Sequence, residues 1–141
     1  MKKQIIIILT LIAICLQGCA GLSKDMSVVD NQTKFSEVIV YGTVSDIFPM
    51  NEQLSETTFE VGESLKGEIS MPSIYVRAGK GIFAEDDGTY IIFLKRTANS
   101  DTFELFEEGS AIRFDNNENS IDCKEFKDAT SALKYIKRGQ K

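Results

Sequence analysis

Few residues in this chain could carry catalysis. There is no histidine, which removes the commonest general base and the commonest transition-metal ligand. A Ser-His-Asp or Cys-His nucleophile is therefore impossible. A zinc site would have to be built from carboxylates and one cysteine, a poor match to zinc's usual ligands. Asp115, Asn117 and Asn119 have the alternate spacing with which a calcium loop begins. That pattern fails at Ser120, where the loop glycine should stand, and at Phe126, where the bidentate Glu should stand. The segment reads as a hairpin turn. Glu85, Asp86 and Asp87 could hold a hard cation but read as a solvated acidic turn. Glu104, Glu107 and Glu108 are the candidates for paired-carboxylate hydrolysis, which needs two acids across a cleft, and nothing in their spacing provides that. The expectation is that the protein is not an enzyme, with no catalytic residue, no metal and no cofactor.

Three further sets could bind rather than react. Tyr41, Tyr75, Tyr90 and Phe93 could form a stacking surface for strands or sugars, although aromatics on alternating strands are more often core. Lys124, Lys127, Lys134 and Lys137 could touch anionic lipid headgroups, or be the solvated face of an amphipathic helix. Cys123 could be a reactive thiol, or a small half-buried apolar side chain.

Cys19 is the residue with the most specific setting. Lys2 and Lys3 open the chain, an apolar run follows from Ile5 to Leu16, and Leu16-Gln17-Gly18-Cys19 closes it. This is the layout of a secretory signal peptide. The run is too short for a membrane span, which needs about 20 apolar residues. Leu16–Cys19 resembles a bacterial lipobox, in which the cysteine is lipidated and the chain is cut just before it. The resemblance implies lipidation at Cys19, loss of residues 1–18 together with Cys15, and a mature chain facing outside the cytoplasm. The anchor would lie in the cell membrane or the outer membrane. Ala20, not being Asp, permits sorting to the outer membrane where there is one.

The remainder has room for one domain. The formal net charge is −5, and the tail from Asp122 is basic, so the body before it is more acidic still. That argues against nucleic acid, whose phosphates demand clustered Lys and Arg. With Cys15 removed and Cys19 acylated, Cys123 has no disulfide partner. The fold must then rest on its apolar core.

Residues 20–33 are polar and without clear period, and read as a flexible tether. The expected division is a leader over 1–18, a lipidated tether over 19–33 and a domain over 34–141. Phe35–Val44 is β-branched and aromatic and reads as a strand, with Gly42 marking a bulge or bend. Ile47–Ser55, containing Pro49, reads as a loop. Thr57, Phe59, Val61 and Leu65 share one parity of a half-buried strand. Ser73–Ala78 alternates again. Tyr90–Leu94 is continuously apolar, as in a strand buried on both faces, and Phe103–Phe106 is a short strand. Ala111–Phe114 and Ser120–Asp122 flank an Asn- and Asp-rich turn, as in a hairpin. Phe126, Ala129, Leu133 and Ile136 are spaced three or four apart, one face of a helix. Many short strands and one late helix predict a mainly β fold, an antiparallel barrel or sandwich with a C-terminal helix packed on it.

The order Val40–Val44, Thr57–Glu68, Ile74–Val76, Gly88–Leu94, then Phe103–Leu105 and Gly109, resembles a module common in secreted bacterial proteins. That module is similar in pattern to the tissue inhibitors of metalloproteinases and to netrin-like domains. The resemblance spans roughly residues 35–121 and implies an OB-like five-stranded barrel. It brings no activity with it. The animal inhibitors block a protease zinc with a free N-terminal cysteine held by disulfides, whereas Cys19 would be acylated and has no disulfide partner. Fold does not fix function. The expectation is a lipid-anchored binding or interaction module, its partner the membrane through the anchor and an envelope protein or glycan beyond it. The alternative is an inhibitor that plugs an extracellular hydrolase with a barrel loop.

Overall fold

The computed structural model describes residues 25–83 and 88–140. Six strands and two helices follow in order: α1 (Met26–Phe35), β1 (Val38–Pro49), β2 (Leu54–Lys66), β3 (Ser73–Gly79), β4 (Thr89–Arg96), β5 (Thr102–Leu105), β6 (Ala111–Phe114) and α2 (Ala129–Arg138). Their neighbours run β1-β2-β3-β5-β4, and β4 pairs back onto β1. Five strands thus close into a barrel, in an order compatible with an OB-like barrel, and β6 extends β4 outside the ring. The fold is mainly β with a C-terminal helix, as the strand and helix periods predict.

One pair departs from the expected antiparallel barrel. β3 and β5 are parallel. The reason is topological: an odd number of strands cannot alternate direction all the way around a closed ring. One parallel neighbour is unavoidable, and here it is the pair joined through β4.

The barrel interior is filled by alternate residues of every wall strand. Val38, Val40, Phe59, Ile74, Val76, Tyr90, Ile92, Leu94 and Phe103 form one buried cluster. A second cluster lies on the outer face of β1, β4 and β6, beneath the helices. It includes Ile39, Ile91, Phe93, Ile112 and Phe114 from the strands, with Val29 from α1 and Ala129, Ala132 and Ile136 from α2. This explains the unbroken apolar run Tyr90–Leu94: its even residues face the barrel and its odd ones face the helices. Phe59 and Phe93 are both fully buried, but they belong to different cores.

Gly42 shows why β1 needs a glycine. A Cβ there would come within 1.9 Å of the Glu60 carbonyl oxygen and 2.9 Å of the Phe59 ring. The β1–β2 register shifts between Tyr41 and Gly42, between Ile39 and Val40, and between Val44 and Asp46. The first two shifts leave Gly62 and Leu65 as extra residues on β2. Extra residues re-aim the strand, which is how Leu65, of one parity with Phe59, reaches the second core instead of the barrel.

Two sequence expectations are corrected. Residues 26–33 are not a featureless tether. They belong to α1, which the Asp25 carboxylate caps by accepting from the Val28 N–H at 3.1 Å. Its buried stripe is Val29, Gln32 and Thr33, so two of three inward positions are polar and the apolar period is hidden. Nor is Ile47–Ser55 a loop. β1 runs through Pro49 and β2 begins at Leu54, with Asn51 tying the turn by accepting from the Gln53 and Leu54 N–H groups. Pro49 is tolerated because β1 pairs with β4 only from Val38 to Thr43, so its outer edge has no ladder partner here.

Candidate functional site

The β1–β2 turn, the end of β3 and the segment from β5 to Glu108 form a groove of about 500 Å³. β3 forms ladders with β2 and β5 and with neither β1 nor β4, although its Ile74 and Val76 share the barrel core with their side chains. Met50 and Leu54 from the turn, and Ile82 just after β3, supply apolar walls. Arg77, Lys95, Glu104, Glu107 and Glu108 supply charge.

The register organises that charge. Glu56 of β2 stands opposite Arg77 of β3, Arg77 opposite Glu104 of β5, and Glu104 opposite Lys95 of β4. The result is one row of alternating sign across four strands. Arg77 Nε donates to Glu56 Oε2 at 3.1 Å, and Lys95 Nζ lies 3.6 Å from Glu104 Oε2. Cross-strand opposite charges stabilise a sheet modestly. Both pairs are partly exposed, so each is worth at most about 1 kcal/mol. Glu107 accepts from Gln32 Nε2 at 3.0 Å, which ties α1 to the turn after β5. Glu108 is exposed beside it.

Beyond the groove the hairpin carries unshielded apolar surface. Phe48 is 56 %, Met50 48 % and Leu54 41 % exposed. Three large apolar side chains at one hairpin tip are more than the scattered singles normal on a surface. The sequence signal was present, as large apolar residues around Pro49 in an otherwise polar stretch, but the loop reading concealed that they share a hairpin.

The sequence candidates are dispersed. Tyr90 is buried in the barrel, edge-on to Phe83 with ring centroids 5.3 Å apart. Phe93 is buried under the helices, while Tyr75 is exposed. Tyr41 donates to Glu118 Oε1 at 3.0 Å, and burial is the main cause that raises its phenol pKa. These four rings therefore form no common stacking platform.

Asp115 is committed to its turn. Its carboxylate accepts from the Asn117 and Asn119 N–H groups, each at 2.9 Å, and from Asn119 Nδ2 at 3.4 Å. The Asn119 N–H is the main cause that lowers its pKa. Glu118 adopts a positive φ of 62° in that turn. The returning arm is a single bridge, Phe114 to Ser120, rather than a full strand.

Cys123 is fully buried in the second core, and burial raises its thiol pKa. The structure thus gives it the apolar role. Glu85, Asp86 and Asp87 lie outside the described residues, as does Cys19. Among the described residues no cluster of three or more acids or cysteines could hold a metal ion, and no helix is long and apolar enough to cross a membrane.

Compared with known protein families and with curated proteins, the chain matches none.

Proposed function

We propose that this protein is a bacterial lipoprotein, cut before Cys19 and acylated there, whose netrin-like barrel acts outside the cytoplasm as a binding module. The observation that carries the reading is the apolar run Ile5–Leu16 ending directly in Leu16-Gln17-Gly18-Cys19. The barrel supports the binding half of it. Its groove joins apolar walls to a charged row, and its β1–β2 turn presents Phe48, Met50 and Leu54 to solvent. OB-like barrels commonly bind ligands through the turn between their first two strands. The partner is an envelope protein or glycan seated on that turn. The acidic body disfavours nucleic acid. The protein is read as a non-enzyme without cofactor, sited at the cell membrane or the outer membrane.

The exposed hairpin also favours a second reading, an inhibitor of an extracellular hydrolase in which Phe48 and Met50 enter the enzyme's cleft. One experiment separates the two and tests both. Membranes are solubilised gently, and partners are captured with the intact protein and with a Phe48→Asp, Leu54→Asp variant. A binding module captures envelope proteins or glycans that the variant loses; an inhibitor captures a single hydrolase and lowers its activity. Capture unaffected by the two substitutions would remove the hairpin from either role.

A further inference from the structure

The outward face of α2 carries a charge opposite to that of the rest of the molecule. Its inward residues are Ala129, Ala132 and Ile136. Thr130, Lys134, Lys137 and Arg138, at the complementary helical spacing, line a shallow depression of about 390 Å³ on the other face, with Leu133 at its edge still packed against the second core. Lys137 pairs with Glu63. Lys134 and Arg138 are exposed, and no ion-pair partner stands near them among the described residues. Elsewhere acid prevails: losing Lys2 and Lys3 with the leader would take the formal net charge from −5 to −7.

The position of this face in the fold matters as much as its charge. α1 lies against α2, with Tyr135 Oη donating to Asp30 Oδ1 at 2.7 Å. α1 begins one residue after Asp25, and Asp25 is six residues from Cys19. Six residues reach at most about 20 Å. A lipid on Cys19 therefore keeps the helix pair close to the bilayer, within a few Debye lengths at physiological salt. At that range an acidic protein is repelled by anionic headgroups in most orientations. One basic face turns the repulsion into attraction in a single orientation.

We infer that the outward face of α2 rests on the anionic headgroups of the membrane that holds Cys19, so that the tip of the β1–β2 hairpin, whose Leu54 lies nine residues along β2 from the Glu63 that pairs with Lys137, is turned away from the lipid and toward partners. This orientation rests on the anchor proposed above. Its chemistry is plain: Lys134 and Arg138 donate to lipid phosphates, and Thr130 lies at the interface beside them.

The test uses the intact processed protein in vesicles of phosphatidylcholine alone or with added phosphatidylglycerol. A fluorophore is placed by Thr130→Cys or, separately, by Met50→Cys at the exposed hairpin tip; Cys123 is buried and Cys19 acylated, so labelling is selective. Quenching by acrylamide in the water reports which side faces the lipid. On anionic vesicles, quenching at position 130 should be several-fold weaker than at position 50. The difference should collapse on neutral vesicles, in high salt, and in a Lys134→Glu, Arg138→Glu variant. Equal quenching at the two positions on anionic vesicles would overturn the orientation and leave the anchor standing. So would a difference indifferent to lipid charge. Failure of the protein to float with neutral vesicles would overturn the anchor, and the orientation with it.

Discussion

At the residue scale, the close approaches and buried polar atoms decide what this chain tolerates. Gly42 leaves no room for a methyl group against the Glu60 carbonyl. Gly42→Ala should therefore destabilise the domain by about 1–3 kcal/mol through forced backbone displacement, measured by urea unfolding; an unchanged midpoint would mean that β1 and β2 part without cost. Thr57 is fully buried in β2, and its hydroxyl finds no partner among the described residues. Thr57→Val keeps the shape and removes the unpaired oxygen, so a gain of about 1 kcal/mol is expected. A loss would indicate a buried water bonded to that hydroxyl. Cys123 is governed by burial. Its folded pKa lies above its ordinary value of 9.0, so the folded chain keeps the proton to a higher pH than the unfolded one. Its contribution to stability is complete below that value and declines as pH rises past it. Alkylation should be far slower in the native protein than in denaturant at the same pH. Equal rates would place the thiol at the surface.

At the element scale, α1 is the piece that the sequence hid and the structure supplies. It covers Ile39, Phe93 and Ile112 together with α2, and Gln32 fastens it to Glu107 and Ser110. A fragment beginning at Asp25 should melt well above one beginning at Glu37, which would leave the outer face of β1 and β4 uncovered. Equal melting temperatures would reduce α1 to an ornament of the tether. The contrast with α2 is instructive. Phe126, Ala129, Leu133 and Ile136 announce α2 through an apolar stripe, and Asp128 and Ser131 cap it reciprocally. In α1 the same inward geometry is met by Gln32 and Thr33, whose hydrogen bonds replace apolar burial. Periodicity reads hydrophobicity, not satisfied polarity, so only the second helix was legible. Likewise the two-faced run Tyr90–Leu94 was legible as doubly buried. Which residue of β2 faced which core depended on the bulges at Gly62 and Leu65, which no local pattern specifies.

At the scale of the whole molecule, the fold sorts its surfaces. Helices and the second core cover the outer face of β1, β4 and β6, while the charged row crosses β2, β3 and β5 to the end of β4. The basic face lies on the helix side, on the helix that Tyr135 ties to α1. Strand count and spacing read as a barrel or a sandwich, and the family resemblance pointed to the barrel. The groove was not legible, because it depends on Glu56, Arg77, Glu104 and Lys95 meeting across four strands far apart in sequence. The central claim is that everything outside the leader hangs from one acylated cysteine, and an intact mass of the protein purified from membranes tests it most directly. The account predicts a chain beginning at Cys19 whose mass exceeds that of residues 19–141 by its acyl groups, and no such product from a Cys19→Ser variant. A membrane-bound chain that keeps residues 1–18, or one that begins at Cys19 with no added mass, would contradict it.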